Sequence, residues 1–136
     1  MKLTGRLRIT VFTILSISFL IATATVSAQH GFRVKEYEAF HDVLHPLEHE
    51  ALPRKDFKRI RAKSSLLVKR GRAIVRVGVP SGTKGDIQEE FKKELERFDK
   101  ALTKFRTAAR MGSNTQLQTS YSAVHDSFEM LAGMLR

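Results

Sequence analysis

Large apolar residues return every three or four positions through four successive stretches of this chain, and no stretch alternates with period two for long. A three-and-four spacing sets side chains on one face of an α-helix. A chain patterned this way buries its apolar groups by packing helix on helix.

The first stretch runs from about 34 to 51, with Tyr37, Phe40, Leu44, Leu47 and Ala51 on one face. Pro46 lies inside it. Proline has no amide proton to give to the carbonyl of Asp42, so a kink or an irregular end is expected there. The second stretch opens at Pro53, a good first-turn residue. It carries Phe57, Ile60, Ser64, Leu67, Gly71 and Ile74 and stops at Gly78. A Gly- and Pro-rich loop follows, Val79 to Gly85. Asp86 and Glu89 read as a capping box for the third stretch, whose stripe is Ile87, Phe91, Leu95, Phe98, Leu102, Phe105 and Ala109. Gly112 is its natural stop. Ser113 and Gln116 form a second capping box ahead of Leu117, Tyr121, Val124, Phe128, Leu131 and Leu135. The short link between the third and fourth stretches makes them antiparallel neighbours. The expectation is an all-α fold, an antiparallel up-down-up-down four-helix bundle. Two helical hairpins that complete a bundle as a homodimer are the alternative.

Residues 1–28 read as a secretory signal: Lys2, Arg6 and Arg8, then an apolar run from Val11 to Ala22, then Val26-Ser27-Ala28. The apolar run is short of the ~20 residues that a span needs. Cleavage is expected between Ala28 and Gln29, leaving residues 29–136 as one domain in a periplasm or outside the cell. Losing the three cations takes the net charge from +10 to +7. The chain has no Cys. That excludes disulfides, thiolate zinc sites, iron–sulfur clusters and covalent c-type haem.

Five histidines stand out: His30, His41, His45, His49 and His125. His41, His45 and His49 are spaced i, i+4 and i+8, one ridge beside the apolar stripe, flanked by Glu38 and Glu48. Neutral imidazoles at i and i+4 can chelate a divalent ion. His125 falls on the core side of the fourth stretch, and bundles build metal sites from facing helices. The candidate metal ligands are therefore His41, His45, His49 and His125, with His45 and His125 facing one another. Imidazole suits zinc, copper(II) or nickel. The other reading of these residues is a polar ridge and a structural core histidine, in a cofactor-free interaction or stress protein that uses the bundle as a surface. Non-covalent haem, held by His125 on one side and His41 or His45 on the other, is a further alternative.

Residues 54–76 hold ten Lys or Arg and a single acid, Asp56. The charge suits an anionic membrane surface or an acidic protein, and export argues against nucleic acid. The plainer reading is a solvated face paired in part with Glu89, Glu90, Glu94 and Glu96. No P-loop, dinucleotide fingerprint, nucleophile elbow or paired carboxylates are present, so the chain reads as a non-enzyme.

From Leu52 to Leu131 the order of features resembles cytochrome c′. The pieces are Leu52-Pro53-Arg54-Lys55-Asp56-Phe57, the Val79-Pro80-Ser81-Gly82-Thr83 loop, Phe91, Phe98, Ala108-Ala109, Gly112, and Val124-His125-Asp126-Ser127-Phe128. That family is a periplasmic four-helix bundle ending in a C-x-x-C-H-x-x-F haem motif. His125 and Phe128 fall on its His and Phe, while Tyr121 and Val124 occupy the two Cys positions. The resemblance implies a bundle whose covalent haem attachment is missing.

Overall fold

The structure, a computed structural model, describes residues 33–136. The expected signal segment, its cleavage site and His30 lie outside the described residues. The described part is all-helical: α1 (Lys35–Pro46), α2 (Phe57–Val77), α3 (Gln88–Met111) and α4 (Asn114–Met134). They form a four-helix bundle in which α1 packs on α2, α2 on α3 and α3 on α4. No helix among the described residues is long and apolar enough to cross a membrane.

Pro46 produces the expected irregular end. The chain widens into a π turn, Leu47–Ala51, where the amide of Leu52 donates to the Leu47 carbonyl at 2.9 Å and that of Asp56 to Ala51 at 2.8 Å. The turn keeps Leu47 and Ala51 in the core, 1% exposed each, so the apolar face continues across the proline.

Three expected helix ends hold and two move. Gly78 stops α2 in the left-handed region, φ 70°, which glycine adopts without strain. Gly112 closes α3; a Cβ there would lie 2.8 Å from the Ala108 carbonyl oxygen. Ser113 and Gln116 make the full capping box of α4. Pro53, however, belongs to the turn before α2. The helix starts after Asp56, whose carboxylate accepts from the Arg59 amide at 3.0 Å. A carboxylate at the N-cap satisfies an otherwise orphaned donor, which a proline at N1 does not. The Asp86–Glu89 box does not form either. Gly85–Ile87 is a 3₁₀ turn, Ile87 precedes α3 with no side-chain cap, and Glu89 is drawn to Lys92 at 2.6 Å.

The core is aromatic. Tyr37, Phe40, Phe91, Phe98, Phe105, Tyr121 and Phe128 are fully buried. Phe40 meets Phe98 edge-on at 5.4 Å between ring centroids and Phe128 at 4.7 Å. Large rings therefore bring α1, α3 and α4 together. Where α2 meets α3 the fit is close instead: a Cβ on Gly71 would lie 2.6 Å from Leu102 Cδ2.

Candidate metal centre on the first helix

The π turn and α1 together carry the histidine ridge. His41 and His45 have ring centroids 5.3 Å apart, and His45 and His49 4.3 Å. His45 and His49 are exposed, and His41 is half-buried. His41 leans on the core, stacked against Phe128 at 6.4 Å. Burial lowers its pKa below the ordinary imidazole value, and the neighbouring charge of His45, then of His49, lowers it further. Glu129 and Asp42 oppose this. Near neutral pH, His41 is therefore held in the unprotonated form that a metal needs.

His125 is half-buried on α4, with Nδ1 3.3 Å from Asp126 Oδ1. The α1–α4 contact that it was expected to share is present. The Tyr121 hydroxyl, one turn before His125, donates to the Leu44 carbonyl at 3.2 Å, and Tyr37 lies 5.9 Å from Phe128. The structure thus brings His41, His45 and His49 into one row and seats His125 against Asp126. Among the described residues no group of three or more His, Asp or Glu side chains converges on a point that could hold an ion. The tightest ring pair of the row is His45–His49, with His41 one turn further along α1.

Tyr121 and Val124 are both fully buried. Burial raises the pKa of Tyr121 well above the ordinary phenol value, and the Glu48 carboxylate, repelling a phenolate, adds to it.

Sequence reading missed two polar features. Glu94 is 3% exposed and Ser127 4%. The Ser127 hydroxyl donates to Glu94 Oε1 at 2.5 Å, and Arg97 donates to Oε2 at 2.6 Å. The signal was present: Glu94 falls three residues after Phe91 and four before Phe98, inside the apolar stripe. The other is Arg61, which crosses from α2 to the end of α3. It donates to the carbonyls of Ala108 and Ala109 at 3.0 Å each and of Gly112 at 2.9 Å. Nothing local in sequence marks it.

The expected pairing of α2 with Glu89, Glu90, Glu94 and Glu96 is not what forms. Glu89 and Glu94 bind lysine and arginine on their own helix. Asp99 instead takes Arg72, whose other terminal nitrogen donates to Thr103 at 2.7 Å. The reason is position: Asp99 lies on the flank of α3 that faces α2, while Glu94 is turned toward α4. A cleft of about 760 Å³ runs between α3 and α4 near Gly112 and is lined by Thr103, Lys104, Thr107, Ala108, Met111 and Thr119 among others. Its Thr103 and Thr107 hydroxyls donate back to carbonyls of α3. No family model, curated protein or solved structure matches this chain.

Proposed function

We propose that this chain is an exported, non-enzymatic bundle, its helices running up-down-up-down, that binds a transition metal ion through imidazoles. The two-residue link between α3 and α4 and the reach of Tyr121 to Leu44 support the antiparallel order. The tripartite character of residues 1–28 supports export. On this reading the protein is a cytochrome c′-like bundle whose two attachment positions have become core.

The observation that carries metal binding is the exposed His45–His49 pair, with rings 4.3 Å apart. Two neutral imidazoles one helical turn apart take a single ion, leaving its remaining positions to water. His41 is the next ligand along the ridge. His125 is the candidate from the facing helix and joins only by turning from Asp126. Imidazole donors favour copper(II) over nickel and zinc by the usual affinity order. A bare ion is preferred over haem because the rings of Phe40 and Phe128 occupy the interior beside His41.

Titration of zinc or copper into the wild type, His45→Ala, His49→Ala, His125→Ala and His30→Ala tests this. Removing His45 or His49 weakens binding by about tenfold or more, while removing His30 leaves it near the wild-type value. Affinity falls as the solution is acidified, because protons compete for the same nitrogens. Equal binding by the wild type, His45→Ala and His49→Ala would end the proposal.

A further inference from the structure

Of the ten cations in residues 54–76, three are engaged within the fold. Arg59 binds Glu50 at 2.8 Å, Arg61 grips the end of α3, and Arg72 holds Asp99. Arg54, Lys55, Lys58, Lys63, Lys69, Arg70 and Arg76 are exposed and have no ion-pair partner among the described residues. The one acid of this segment, Asp56, is spent on capping the helix.

Lys58, Lys69 and Arg76 of α2 lie opposite buried Ile60, Leu67 and Ile74, and Ala62, Leu66, half-buried Ala73 and Val77 run along one flank of that row, with Lys63 and Arg70 beyond them. Leu66 and Val77 are 37% and 39% exposed, and with the two alanines they form an apolar line between rows of cations. From Lys58 to Val77 that face is about 28 Å long at ~1.5 Å per residue.

We propose that this face of α2 docks on an anionic lipid bilayer. A helix face with long cationic side chains around a few apolar tips matches a headgroup layer. The ammonium and guanidinium groups reach phosphates while Leu66 and Val77 settle at the acyl boundary. The composition fits a protein partner less well. Lysine is depleted at protein interfaces, and the Tyr and Trp anchors that carry such interfaces do not occur on this stripe.

The test is co-sedimentation of the full chain with vesicles of phosphatidylcholine alone and with about 30 mol% phosphatidylglycerol. Residues 1–28, with Lys2, Arg6 and Arg8 beside the apolar run, are common to the wild type and every variant, so the reading is the change in anionic preference between them. The expected result is partitioning roughly tenfold or more higher on the anionic vesicles, falling about as much between ~50 and ~300 mM salt. The variant K58E/K69E/R76E loses that preference. The variant K93E/K100E/K104E carries the same charge change on exposed positions of α3 and keeps most of it. Circular dichroism of both establishes that they fold, and L66S/V77S supplies a milder change that also lowers partitioning. Equal partitioning on the two vesicles, or equal losses in the two triple variants, overturns the proposal. Tighter binding to polyglutamate than to vesicles at the same charge concentration assigns the face to an acidic protein instead, and also overturns it.

Discussion

At the scale of single residues, the two tyrosines give the sharpest reading of how closed the core is. Tyr37 and Tyr121 are both fully buried, and burial raises both pKa values well above the ordinary phenol range. The folded state thus holds protons that the unfolded chain releases near pH 10. Stability from the neutral hydroxyls is complete below that value and is lost as pH rises beyond it. With no Trp in the chain, phenolate absorbance reports these two residues cleanly. The expected titration is flat through pH 10 and then steep, coincident with loss of helical signal. A gradual curve centred on the ordinary value, with the helices intact, would contradict the burial. Tyr121 was legible in sequence as a core residue from its spacing. Its hydroxyl bond to Leu44 was not, because the partner lies 77 positions away and its carbonyl is reached only once α1 and α4 have packed.

At the scale of elements, Arg61 joins the second helix to the end of the third. The last carbonyls of a helix have no partner within it. One guanidinium here shares the Ala108 carbonyl with the Gly112 amide and donates to Asn114 Oδ1 at 3.1 Å, and the carbonyls of Ala109 and, just past the helix, Gly112 accept from it as well. Arg61→Ala leaves those acceptors to water and is expected to cost about 1.5–3 kcal/mol, seen as a lower urea midpoint. Arg61→Lys recovers little, since an ammonium cannot present the planar fork that reaches several carbonyls. Full recovery by lysine would show that charge alone matters there. Helix ends divide in the same way. Gly78, Gly112 and the Ser113–Gln116 box were readable because backbone freedom or a reciprocal pair is local in sequence. Asp86–Glu89 misled because Lys92 competes for Glu89 at i+3. Pro53 misled because Asp56 supplies a better cap three residues later.

At the scale of the whole molecule, the four apolar stripes were legible almost residue by residue, since a face needs only a period. The pairing of charges was not, because it depends on which flank of each helix meets which neighbour. The histidine ridge was readable for that same reason of period, and the seat of His125 against Asp126 was not. One consequence concerns chemical modification. The three cations that α2 turns inward are all arginines, and every lysine of the segment (Lys55, Lys58, Lys63 and Lys69) is exposed. Acylating reagents that react with amines and spare guanidinium should therefore strip charge from the surface while leaving the internal ties in place. The acylated protein is expected to keep its helical spectrum and its cooperative melting, with a much lower isoelectric point. Collapse of the melting transition on acylation would mean that lysine also helps to hold the bundle together. The cations that brace the molecule are permanent, while four of the seven outward ones in this segment are lysines that an amine-modifying enzyme could silence without unfolding it.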